Sequence, residues 1–149
     1  MVTVEDVNGA VKTALDAVGA ALPGGGWSGS GPDEPTYPYA MFSCRVRDTV
    51  YSSGPLMTQW WRVTVRAYHP VGQEGGPTPA AILQGVVGAT CLPTSPLYAA
   101  TFRNATDKVL HALPADTDDE PSPVPLNGRD VLVLTTGVEL MVQSDRSVA

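Results

Sequence analysis

The chain has 149 residues, enough for one ordinary core without disulfide staples. It carries 9 Lys and Arg against 15 Asp and Glu, a net charge of −6, which argues against simple non-specific binding to duplex DNA through phosphate neutralisation. Charged residues make up only 16% of the chain, and 15 Gly and 14 Pro accompany them; this pattern points to long ordered loops or to surface covered in an assembly.

Residues 4–22 predict an amphipathic helix. Val4, Val7, Val11, Ala14, Leu15, Val18 and Leu22 recur at three- and four-residue spacings and make one apolar stripe. Thr3 is the expected N-cap, Glu5 and Asp6 suit the positive end of the helix dipole, and Pro23 and Gly24 supply a stop. Residues 23–38, rich in Gly, Ser and Pro, are expected to form a loop. Gly24, Gly26 and Gly29 satisfy G-x-G-x-x-G, but they follow a helix and run into Pro32, Pro35 and Pro38. A dinucleotide fingerprint requires a strand before the glycines and a helix after them, so a flexible loop is the expectation.

Tyr39 to Arg47 reads as a strand with Ala40, Phe42, Cys44 and Val46 on one face. Residues 48–58 carry turn chemistry for a long hairpin loop, and a second strand follows at 59–69. Its alternation places Trp61, Val63, Val65 and Ala67 on a core face and Trp60, Arg62, Thr64, Arg66 and Tyr68 on the other. If the two strands pair as a hairpin, Tyr39, Arg45 and Arg47 join Trp60, Arg62, Arg66 and Tyr68 on one basic, aromatic surface. Three uses of that surface stand open: single-stranded nucleic acid stacked on the aromatics, cover by the chain's own loops, or contact with another subunit.

Thr78 as N-cap and Pro79 at the first position predict a helix over 79–92, with Ile82, Leu83, Val86, Val87 and Thr90 inward; Gly85 and Gly88 would weaken it or permit close approach to the sheet. Tyr98, Ala100 and Phe102 alternate as in a strand, and 109–113 either extends it or forms a strand of its own. Residues 114–128 are expected to be an acidic, Pro-rich loop. Residues 130–143 predict a long strand with a bulge at Gly137, apolar on both faces in its first half and therefore central or at an interface. Residues 144–149 should fray. The resulting expectation is a single α+β domain: a mostly antiparallel sheet of about four or five strands with two helices on one face.

Chemistry-bearing patterns are sparse. His69 and His111 lack metal spacing with Cys, Asp or another His, and each reads as a satisfied or surface histidine. No serine sits in a G-x-S-x-G elbow. Cys44 falls on the predicted core face, a poor place for a reactive thiolate, and with Cys91 reads as a reduced core thiol. Asp116, Asp118, Asp119 and Glu120 lack the spacing of a calcium loop, so a solvated acidic loop or a contact to a basic neighbour is expected. Asn104-Ala105-Thr106 matches a glycosylation acceptor, which matters only with an export signal; Glu5 and Asp6 occupy positions where such a signal carries positive charge. No run of about 18 apolar residues occurs, so no membrane contact is expected. Neither catalysis nor a cofactor or metal is anticipated.

The succession of helix, Gly/Pro loop, "YPYAMFSCRV" strand, hairpin, "QWWRVTVRAYHP" strand, helix "TPAAILQGVVGATCL" and further strands resembles the tail terminator, or tail completion, proteins of long-tailed bacteriophages. Tyr37-Pro38-Tyr39 and the strand ending near His69 are the closest local matches, and the likeness extends over most of residues 3–143. The 114–128 loop is longer than that pattern. The resemblance implies a structural virion protein, made in the host cytoplasm, that forms a homo-oligomeric ring of six copies. Such a ring caps the tail tube, ends its polymerisation and presents the surface on which the head-completion or connector protein docks, with genomic DNA only passing through its lumen. Another head–tail connector or a minor tail protein makes similar demands. On this reading Tyr39, Arg45, Arg47, Trp60, Arg62, Arg66 and Tyr68 form a subunit or partner interface, with Asp118 and Asp119 as the candidate opposing patch.

Overall fold

A capping box opens helix α1 (Val4–Asp16): the Thr3 hydroxyl accepts from the Asp6 N–H at 3.3 Å, and the Asp6 carboxylate accepts from the Thr3 N–H at 2.9 Å. Val7, Val11, Ala14 and Leu15 are its buried stripe. In this computed structural model the described residues are 2–51, 54–71, 77–99, 102, 106–117, 122–126 and 128–145, with only the backbone described at Tyr51, Asp116, Thr117 and Ser122. The α-helix ends six residues earlier than the apolar stripe predicts. Gly19 takes φ +83°, which breaks the helix, and Gly19–Ala21 continues as a 3-10 turn that still buries Leu22.

The predicted loop 23–38 contains strand β1 (Gly26–Ser28), paired in parallel with β2 (Tyr39–Tyr51). Its glycines serve packing, not flexibility. A Cβ on Gly24 would lie 1.9 Å from the Thr36 carbonyl oxygen, and one on Gly26 would lie 2.6 Å from the Leu15 side chain. β2 and β3 (Leu56–Pro70) pair antiparallel from Tyr39↔Tyr68 to Tyr51↔Met57, so the hairpin is longer and its loop shorter than predicted. A register shift between Val46 and Asp48 inserts Arg47 as the extra residue of a bulge.

Helix α2 (Pro79–Cys91) is capped by the Thr78 hydroxyl, which accepts from the Ala81 N–H, and it buries Ile82, Val86, Ala89 and Thr90. Leu83 and Val87, predicted inward, are only partly buried. Gly85 gives close approach to the 3-10 turn: a Cβ there would lie 2.8 Å from Val18 and 3.3 Å from Ala21.

No strand occupies 97–103 among the described residues. Ser95–Ala99 forms turns, burying Leu97 and aiming the Tyr98 hydroxyl at the Ala112 N–H, 2.8 Å away. The strand in this region is β4 (Lys108–Thr117), and β5 (Ser122–Leu126) follows it. Within the expected 114–128 loop, residues 114–117 and 122–126 are thus strand. β6 (Arg129–Asp145) runs without interruption beside β3 through Gly137, so the predicted bulge there is absent. The irregularity at that level belongs to β4, whose register shifts between Ala115 and Thr117 opposite Gly137 and Thr136. Nor does the chain fray at 144: Ser144 is fully buried and accepts from the Val2 N–H at 2.8 Å.

The fold is α+β, with strand order β1-β2-β3-β6-β4 and β5 also on β6, making six strands where four or five were expected. β6 is central, as its apolar first half predicted. Trp61, Val63, Val65 and Ala67 of β3 and Leu134, Val138, Leu140 and Val142 of β6 form one core with both helices. Each fully buried Val or Leu there contributes about 1.5–3 kcal/mol. Every sheet residue in that core shares one face, so the helices lie on one side of the sheet.

Candidate functional site

The helix-free face is organised in rows set by register. One row crosses four strands: Arg45 on β2, Arg62 on β3, Glu139 on β6 and Leu113 on β4. The neighbouring row is Ser43, Thr64, Gly137 and Ala115, and on the other side lie Asp48, Trp60, Met141 and His111. Arg66 stands between Met41 and Thr135, and Tyr68 between Tyr39 and Val133. The seven predicted residues therefore do share a face, with Arg47 joining them through the bulge.

That face is divided. At one end Tyr39 and Tyr68 stack at 5.2 Å between ring centroids, Tyr37 adds a tilted contact at 5.4 Å, and the Arg129 guanidinium lies 5.4 Å from the Tyr37 ring. The loop after β1 runs over this end, where a Cβ on Gly31 would touch the Met41 sulfur at 3.3 Å. Tyr39 is buried, and its hydroxyl pKa is raised by that burial and by Tyr37 and Tyr68 beside it. Cover by the chain's own loop, one of the three uses left open, thus holds here.

The other end is an open concavity lined by Arg45, Arg47, Arg62, Thr64, Ala115 and Glu139. Glu139 accepts from both Arg47 and Arg62, the latter at 3.4 Å. The Arg62 guanidinium rests above Gly137, where a Cβ would lie 2.5 Å from Nη2 and 2.8 Å from Cζ. Packing and pairing hold this side chain at 18% exposure. Arg45, directly opposite Arg62, is exposed and has no acidic partner among the described residues. Like charges facing each other across strands are unfavourable unless an anion joins them.

No protein-family model matches this chain, and no curated protein matches it significantly.

Glu139 and Gly137 were missed by sequence reasoning. The signal was a lone carboxylate in an apolar strand, in phase with Thr135 and Met141. Asp118 and Asp119 lie outside the described residues. Among the described residues no group of three or more His, Cys, Asp or Glu could hold a metal ion, and no helix is long and apolar enough to cross a membrane.

The remaining candidate groups do not converge on the concavity. Cys44 is on the core side, with its thiol pushed up to about 12 by burial, and Cys91 is raised for the same reason. His111 is exposed. His69 departs from the expectation of a satisfied or surface residue: it is buried, its Nδ1 has no hydrogen-bond partner among the described residues, and burial lowers its pKa.

The sheet's free edges are blunted against strand addition. β1 covers β2 only from Ala40 to Phe42, and beyond it the edge carries the Arg47 bulge and Asp48, whose carboxylate takes the Thr49 N–H at 2.8 Å. On β4, Tyr98 occupies the Ala112 N–H, and Pro114 has no N–H to offer. On β5, Pro123 and Pro125 do the same.

Proposed function

We propose that this protein is a structural component of a phage tail: a terminator-like subunit that assembles into a ring, caps the tail tube and presents the docking surface for the head. The supporting observation is the two-sided sheet, packed by helices on one face and bearing an open, ordered charge cluster on the other. A charged face that needed only water would not require Arg62 to be seated on a glycine and paired with a half-buried carboxylate. The ring number of six rests on the family resemblance.

Helix α2 adds weight. It contains no charged residue, and Leu83, Val87 and Leu92 make an apolar groove on its outer side, with Leu92 52% exposed. A helix apolar all round is characteristic of one covered in its working state. Nucleic-acid binding fits less well, because Tyr39 and Tyr68 stack on each other, Tyr39 is buried, and Glu139 occupies the middle of the basic cluster. Blunted edges favour contact through faces, so head-to-tail association of two different patches is the expected symmetry.

The direct test adds purified protein to polymerising tail tube protein of the same virus. Shortened tubes with capped ends are expected. Tubes of unchanged length would overturn the terminator role, and binding to head-side components alone would move the protein to a neighbouring connector role.

A further inference from the structure

We propose that the concavity around Arg45 receives a carboxylate-bearing patch of a second copy of this chain. The inference rests on the assembly reading above and assigns that assembly its anion-accepting half. Three observations carry it.

The first is the state of the three arginines. Arg47 and Arg62 are tied to Glu139, and Arg62 is seated against Gly137, so the donors of the site are already fixed in place. Of these three, Arg45 is exposed and has no carboxylate partner among the described residues, and it stands directly across from Arg62. A carboxylate entering beside Thr64 would sit between two guanidinium groups, where each can donate in the planar fork geometry that arginine offers to carboxylates.

The second observation is how charge is distributed over the whole chain. Arg45, Arg47, Arg62 and Arg66 are four of its nine basic residues, which leaves five to be set against fifteen acidic ones. Glu139 and Asp48 lie on the arginine face itself, and even without them the rest of the chain is acidic on balance. The complementary partner for this cluster is the protein itself, in a heterologous contact that steers copies into one orientation.

The third observation concerns what borders the concavity. Leu113, in the same row as Arg45, Arg62 and Glu139, is 54% exposed. An apolar side chain beside a charged centre gives a contact dry packing as well as ion pairs. The net charge of −6 and the internal Glu139 oppose a nucleic-acid backbone at the same place.

Sedimentation equilibrium of the full chain tests the proposal, at about 25 mM and about 500 mM salt, where charge screening differs strongly. Arg45→Gln removes the charge at 45 and Arg45→Glu reverses it, and both leave Arg47, Glu139 and Arg62 themselves in place. Arg129→Glu makes the same charge change at the covered aromatic end, and thermal unfolding checks that each variant folds. Self-association is expected to weaken at high salt. Arg45→Glu should weaken it at least about tenfold, Arg45→Gln by less, and Arg129→Glu by under about threefold.

Unchanged association of Arg45→Glu would overturn the proposal, as would a wild-type chain that stays monomeric at about 100 μM in low salt. Arg45-dependent binding of a labelled single-stranded oligonucleotide in place of self-association would also overturn it. Tube capping that survives any of these results leaves the terminator role standing while this contact fails. Loss of tube capping with Arg45-dependent association intact separates the two in the other direction.

Discussion

Arg62 and Glu139 face each other directly across β3 and β6, and the guanidinium of Arg62 leans over Gly137 in the adjacent row. The relationship joins three scales. Alternation puts both residues on the helix-free face, register makes them neighbours, and the missing Cβ of Gly137 leaves space for the guanidinium to lie flat. The result is a charged centre held in fixed geometry on a sheet whose other face is core.

Replacing Glu139 by Gln removes the carboxylate that joins Arg47 and Arg62. Glu139 is partly exposed, so the loss in stability should be modest, about 1 kcal/mol after allowance for solvent screening. Urea unfolding should show a lower midpoint with an unchanged slope, and the difference from wild type should shrink in high salt. An equal difference at all salt concentrations would mean that Glu139 acts through packing alone.

Gly137→Ala separates fold from site. The added Cβ would displace a flexible guanidinium and leave the backbone in place. Alanine also gains about 0.5–1 kcal/mol over glycine within a strand. Net stability should therefore change by less than about 1 kcal/mol, while self-association falls because Arg62 has left its seat. Thermal unfolding and sedimentation, measured together, check both halves.

Trp61 is almost fully buried, and its indole Nε1 has no hydrogen-bond partner among the described residues. Trp61→Phe removes that unsatisfied donor and keeps most of the apolar volume, so it should alter stability by less than about 1.5 kcal/mol. Trp61→Ala should cost about 3–5 kcal/mol. A Trp61→Phe loss as large as that of Trp61→Ala would show that Nε1 is bonded in solution.

His69 makes stability depend on pH. Burial lowers its folded-state pKa below the usual value of 6.5, so between the two values the unfolded chain binds a proton that the native chain does not. Its contribution is fully present above pH 6.5 and declines as pH falls from there towards the lowered folded value. Urea midpoints measured from pH 8 downward should fall more steeply in wild type than in His69→Phe across that window. Parallel curves would assign the acid sensitivity to other groups.

Much of this architecture was legible in the sequence wherever a local rule operates. The alternation of Trp60 to Tyr68 placed both faces of β3 correctly, and Thr3, Thr78 and Pro79 marked both helix starts. What escaped was non-local. β1 and β5 consist of Gly-, Ser- and Pro-containing segments with little strand propensity of their own, and they are strands because β2 and β6 supply their partners. The end of α1 was hidden because Val18 and Leu22, which flank the 3-10 turn Gly19–Ala21, continue the apolar stripe past the last helical residue, Asp16.

The charged surface followed the same division. Alternation collected its arginines, but the pairing of Arg62 with Glu139 lies 77 residues apart in sequence and required the β3–β6 register. The loop that covers Tyr39 likewise could not be placed from composition. One predicted basic aromatic surface therefore became a covered tyrosine stack and an open arginine site.

The central claim, assembly into a ring through the open face, is tested most directly by native mass measurement combined with negative-stain imaging of the purified protein at low salt. The account predicts closed rings of uniform subunit number that dissociate as salt rises. A particle of a single subunit's mass at every salt concentration and protein concentration, with no rings in the images, would contradict it.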